Sequence, residues 1–112
     1  MTIHDKITFV INEFVHENGT DKIMTKQEIT DLILNKFKIN PKSIIPSDYC
    51  YNRINKGIPL SRPTLFEHLE KDTYVCLGEN YNYNGAIYHK SKSDNIDSEV
   101  GYCKNGNRKL YK

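Results

Sequence analysis

The chain has 112 residues, of which 38% are hydrophobic and 27% charged, and its net charge is +2. That balance excludes a disordered or low-complexity chain and suits one domain with a modest core. No apolar run approaches the ~20 residues that a bilayer span needs, and the N-terminus, with Asp5 early and no cleavage-site pattern, carries no secretory signal.

The first element is a helix. Ile3, Ile7, Val10, Ile11, Phe14 and Val15 recur at spacings of three and four, the period of a helix that buries one face. Gly19 ends it by taking a left-handed C-terminal conformation. A second helix opens at Thr25-Lys26-Gln27-Glu28, where Thr25 and Glu28 form a capping box. Ile29, Leu32, Ile33 and Phe37 make its buried face, Met24 staples onto it, and Pro41 stops it. A third helix is expected over 47–56, capped by Ser47 and closed by Gly57; its start could lie as early as Asn40-Pro41 or Ser43.

Beyond Gly57 the pattern changes. Pro59 and Pro63 keep 57–63 irregular. Residues 64–69 and 73–78 are two strand-like runs around the turn Glu70-Lys71-Asp72 and predict a hairpin, although 65–70 also reads as one helical turn. A polar, tyrosine-rich connection leads to a strand at 86–90, and 91–98 is a solvated loop. Asn105-Gly106 between two strand-like runs is the strongest short hairpin signal available. The fold class expected is α+β: three N-terminal helices, then β-hairpins, with 78–112 extending the same single domain.

Charge is segregated along the chain. Residues 1–35 carry −3, 36–62 carry +5, 63–103 carry −4 and 104–112 carry +4. Such blocks concentrate positive potential on part of the surface and point to a polyanionic partner. On a helix over 47–56, Tyr49, Asn52, Arg53 and Lys56 share one face at i, i+3, i+4 and i+7, while Cys50 and Ile54 turn inward. Asn pairs bidentately with adenine and Arg with guanine. Lys56 and the helix N-terminus at Ser47 suit phosphate. Asp48 opposes that contact. Lys36, Lys38, Lys42 and Arg62 flank the segment and add salt-sensitive affinity.

The order helix, helix, helix, hairpin resembles a winged helix-turn-helix. Residues 24–33 look like the second helix of such domains, and 65–78 look like a wing. Small bacterial modules of this type carry a similar Ser-Asp-Tyr-Cys-Tyr-Asn stretch, here 47–52. The likeness covers 1–77. It implies that 47–56 enters the major groove of double-stranded DNA and that 70–73 touches the backbone or minor groove. The candidate DNA-binding set is therefore Lys42, Ser47, Tyr49, Asn52, Arg53, Lys56 and Arg62. The expected protein is a small cytoplasmic transcriptional regulator or stand-alone recognition module of a bacterium or phage. A homodimer is admitted, because such proteins often bind two half-sites. The alternative is a protein-binding inhibitor or adaptor on the same scaffold, such as a phage-borne inhibitor of bacterial defence, with the C-terminal tyrosines at its interface.

Other chemistry has little support in the residues. Cys50, Cys76 and Cys103 form no CxxC, so they read as small buried residues in a reducing compartment. The four histidines lack metal-ligand spacing, and no phosphate loop or nucleophile elbow occurs. Neither a cofactor nor enzymatic activity is expected. The C-terminal bases Lys104, Arg108, Lys109 and Lys112 interleave with Tyr102 and Tyr111. The favoured reading is that the tyrosines pack the hairpin and the charges protect its edge. The other reading is a stacking platform for a single strand.

Overall fold

The computed structural model describes residues 1–90 and 96–111. Most of the loop expected over 91–98, and Lys112, lie outside the described residues. Helix α1 runs Ile3–Asn18 and α2 runs Lys26–Leu34, so α2 ends on Asn35, short of Pro41, and Phe37 packs on the core from the turn that follows it. Both open on reciprocal capping boxes, Thr2 with Asp5 and Thr25 with Glu28. Gly19 closes α1 at φ +85°, in the region that only glycine enters freely.

The strands are β1 (Ile23–Thr25), β2 (Phe66–His68), β3 (Thr73–Cys76), β4 (Gly85–Lys90), β5 (Asp97–Lys104) and β6 (Asn107–Leu110). They form two antiparallel three-stranded sheets, ordered β1-β3-β2 and β4-β5-β6. Both predicted hairpins are present. The Asn105-Gly106 turn has φ +52° and +81°, the paired left-handed conformations that Asn-Gly supplies. Met24 pairs with Tyr74 in the first sheet, so it belongs to a short strand, and it packs against the core that holds Ile29 and Ile33 of α2.

Two apolar clusters organise three layers. Ile7, Val10, Ile11, Ile29 and Ile33 of the helices pack on Phe66, Tyr74 and Cys76 of the first sheet. The opposite face of that sheet, with Val75, meets Leu77 and then Ile87, Cys103 and Leu110 of the second sheet. Strand alternation sends neighbouring residues of β3 into different cores.

The third helix is not formed. A single 3-10 turn spans Pro46–Tyr49, and the chain then continues without helix, bending at residues 51–52 between isolated bridges at Cys50 and Arg53 and turning at 56–57. Cys50 bridges Phe66 in the first sheet and Arg53 bridges Tyr88 in the second, both in parallel. Tyr51 N–H donates to the Phe66 carbonyl, Ile54 N–H to the Tyr88 carbonyl, and Tyr88 N–H to the Asn52 carbonyl. The segment is a strap that hydrogen-bonds two sheets. Cys50 enters the first core and Tyr51 and Ile54 the second. The expected inward turn of Cys50 and Ile54 therefore holds, but into separate cores.

Arg108 of β6 locks the strap from inside. Its Nη1 donates to the carbonyls of Cys50 at 3.2 Å and Arg53 at 3.4 Å, and its Nη2 to that of Leu60 at 3.2 Å. Only the planar fork of arginine spans three acceptors in this way. We predict that Arg108→Met lowers stability by roughly 2–4 kcal/mol, because charge-assisted bonds are lost and half-buried carbonyls are left unmet. Arg108→Lys should recover less than half of that loss, while Lys109→Met on the opposite face should change stability by less than about 0.5 kcal/mol. Urea denaturation of the three variants is the check; equal stability of the Arg108→Met and Lys109→Met chains would remove Arg108 from this role.

Candidate nucleic-acid interface

The strap consumes most of the residues that sequence reasoning assigned to a reading face. Tyr49 is buried, its hydroxyl 2.7 Å from His4 Nδ1 and its ring covered by the Arg62 guanidinium at 5.3 Å. Asn52 Nδ2 donates to the His68 carbonyl and Asn52 Oδ1 accepts from His68 N–H, both at 2.8 Å. Its amide thus copies a strand pair, with no edge left for a base. Ser47 accepts from Asn55 Nδ2, which also donates to Asp48. Arg53 Nη2 pairs with Asp97 at 3.0 Å. Only Lys42, in the 3-10 turn Pro41–Ser43, and Lys56 stand exposed. The expected common face of Tyr49, Asn52, Arg53 and Lys56 does not exist, because no helix spans 47–56 to align them: Tyr49 ends a 3-10 turn, Asn52 and Arg53 lie in the strap and Lys56 sits in a turn.

A different surface carries exposed aromatic and basic groups together. In the second sheet Ala86 lies opposite Tyr102, and Tyr102 opposite Lys109. A bulge between Ile87 and Tyr88 shifts the register so that Tyr88 faces Glu99. Directly paired residues share a side, so Tyr88, Glu99, Tyr102 and Lys109 occupy the outer face. Ile87, Gly101 and Cys103 are buried on the inner one. Lys104, next to Cys103, and Lys90, two beyond Tyr88, fall on the outer side as well. Tyr111 joins them, its hydroxyl donating to Glu99. Tyr88, Tyr102 and Tyr111 are 39%, 44% and 57% exposed.

The inner side of the C-terminal hairpin is held by Arg108 and Leu110. Tyr102 and Tyr111 lie partly exposed on its outer side, where Tyr111 ties β6's end to Glu99 of β5. The two acids near the outer face are both engaged, Asp97 by Arg53 and Glu99 by Tyr111. Alternation in 100–104 was the signal for this face: Tyr102 and Lys104 fall on one side, Gly101 and Cys103 on the other.

A family model described as a domain of unknown function, DUF7225, matches residues 2–110. The chain belongs to the DUF7225 family. The uncharacterized protein YnaC of Bacillus subtilis (strain 168) is 39% identical over 110 residues, which cover 98% of this chain and 40% of YnaC. The chain therefore spans less than half the length of that relative. No solved structure matches it. Among the described residues no group of three His, Cys, Asp or Glu side chains is positioned to hold a metal, and no helix is long and apolar enough to cross a membrane.

The interior around the strap is dry enough to hold thiols and phenols in their neutral forms. Burial pushes the Cys76 thiol up to about 12 and the Tyr74 phenol up to about 12. Burial also raises Cys50, and burial together with the bond to Glu67 raises Tyr83. In the unfolded chain these groups release protons near their ordinary 9.0 and 10.0. The folded state binds more protons across that window, so stability is complete below about pH 9 and falls as pH rises toward about 12. We predict a urea midpoint that declines steadily between about pH 9 and about pH 11. A flat midpoint over that range would contradict the burial of these groups.

Proposed function

We propose that this domain binds nucleic acid, with DNA as the partner, and that a strand lies across the outer face of the second sheet. The observation that carries the reading is the set of three exposed tyrosines on one sheet face with Lys90, Lys104 and Lys109. Monomeric domains seldom leave three aromatic rings on one face without use. Phenol rings stack on any base, and ammonium groups between them follow the phosphates. Stacking needs unpaired bases, so a single strand or an opened duplex fits this face better than a closed duplex.

The first half of the chain supports a winged-helix scaffold: α1, β1 and α2 precede the β2–β3 hairpin, and β1 adds to that hairpin's sheet. The 3-10 turn and strap stand where a reading helix would be. In this reading Ser47, Tyr49, Asn52, Arg53 and Arg62 are scaffold residues, and the exposed Lys42 and Lys56 add phosphate contacts. Three free, buried cysteines fit a reducing, cytoplasmic setting. A small regulator or stand-alone recognition module remains the corresponding role.

Fluorescence anisotropy with labelled single-stranded and duplex oligonucleotides tests the proposal. The single strand should bind more tightly, and affinity should fall steeply between about 50 and 200 mM salt. Tyr102→Ala should weaken binding about tenfold, in keeping with ~1–3 kcal/mol per stacked base. Lys109→Gln should lower the salt slope by about one. Absence of binding to either oligonucleotide at the lowest salt would sink the proposal and favour a protein partner at the tyrosine face.

A further inference from the structure

A polar cleft of about 270 Å³ opens between the strap, the β2–β3 turn and the end of β4. Arg53, His68, Lys71 and Lys90 line it, together with Ser47 and Asp72. A smaller neighbouring hollow shares Arg53 and His68 and is lined also by Tyr88. The cleft therefore adjoins one end of the tyrosine face.

Three features make it more than a gap between loops. The Arg53 side chain is only 11% exposed, yet its sole hydrogen bond among the described residues is the Nη2 contact to Asp97. Among those residues no acceptor meets its other N–H groups, so the guanidinium has donors to spare for oxygen acceptors. Lys71 occupies φ +51° at the tip of the turn, a conformation that glycine and asparagine adopt more readily. Turn chemistry thus gives no reason for a lysine there. Neither Lys71 nor Lys90 has an ion-pair partner among the described residues. His68 donates through Nε2 to the Lys71 carbonyl at 2.7 Å, which fixes the ring and leaves Nδ1 as its second polar atom.

We propose that this cleft binds a phosphate monoester. The terminal group of such an ester carries up to two charges and three exposed oxygens, enough to meet the guanidinium and both ammonium groups. A diester within a strand offers one charge and fits less well. The volume admits a phosphate with part of the sugar that bears it. The ester can be the 5′ end of a strand or a free nucleotide. The site shares Lys90 with the tyrosine face, but it does not need a strand bound there.

Amide ¹H–¹⁵N spectra of the whole chain, titrated with inorganic phosphate, thymidine 5′-monophosphate and thymidine, test this. Phosphate and the monophosphate should shift the amides of Arg53, His68, Lys71 and Lys90 saturably, and thymidine should not. The double variant Lys71→Asn, Lys90→Gln keeps a residue suited to the turn and should bind at least about tenfold more weakly. Lys38→Gln, a remote exposed lysine, should bind as the parent does. No saturable shift, or shifts spread over many lysines and indifferent to the double variant, would overturn the proposal. A preference for a 5′-phosphorylated over an unphosphorylated oligonucleotide assigns the strand end as the source. Binding of the monophosphate without either oligonucleotide assigns a free nucleotide, and in that outcome the cleft stands while the strand reading falls.

Discussion

The fold turns on the backbone of residues 50–56, which has to satisfy its hydrogen bonds in two sheets at once. Backbone clamped between two sheets cannot leave its buried amides and carbonyls unpaired. Here Phe66 takes up one end and Tyr88 the other. The carbonyls left over at Cys50 and Arg53 go to the Arg108 guanidinium. The polar side chains around the strap follow from the same constraint. Asn52 closes on the His68 backbone, Asn55 ties back to Ser47 and Asp48, and His89 Nδ1 meets the Ile54 carbonyl. Tyr51 adds a second brace, with its hydroxyl donating to the Gly78 carbonyl and accepting from Tyr81 N–H.

The elements governed by local rules were legible in the sequence. Both α-helices follow from apolar spacing and caps, and both hairpins from their turns. The strap was not legible, for a specific reason. Tyr49, Asn52, Arg53 and Lys56 fit a helical period by accident, and the partners that hold the strap are 16 residues from Cys50 and 35 from Arg53. Local propensity carries no information about such distant pairing. One clue was present: Cys50 and Tyr51 are adjacent and apolar, and both are buried. On an amphipathic helix facing one core, neighbours diverge by about 100°, so two buried neighbours fit a segment clamped between two cores better. Strand β1 escaped for a related reason. Three residues, with Ile23 exposed, make no periodic pattern, and the strand exists because β3 offers it an edge.

The segregation of charge was legible, but its use was not. In the block 36–62, Lys36 is bound by Glu13, Arg53 by Asp97, and Arg62 lies on the Tyr49 ring. Half of that block's bases are thus partnered within the molecule. In the C-terminal block Arg108 turns inward while Lys104 and Lys109 turn out, since strand alternation divides one basic run between two faces. Sequence blocks measure charge along the chain, whereas a partner meets charge across a surface.

Scaffold and candidate sites meet at Arg53. Its main chain joins the strap to β4, and its guanidinium forms part of the cleft. Truncating it would remove a base from the cleft and leave Asp97 without its partner. A loss of binding in an Arg53 variant could then arise from a shifted β4–β5 edge as readily as from a missing contact, because coupled neighbours do not act additively. Lys71 is free of that ambiguity: it is exposed, carries no ion pair among the described residues and lies off the tyrosine face that Lys90 shares. For the same reason Tyr102, whose ring stands clear of either core, reports on the sheet face more cleanly than Tyr88, whose backbone also holds the strap.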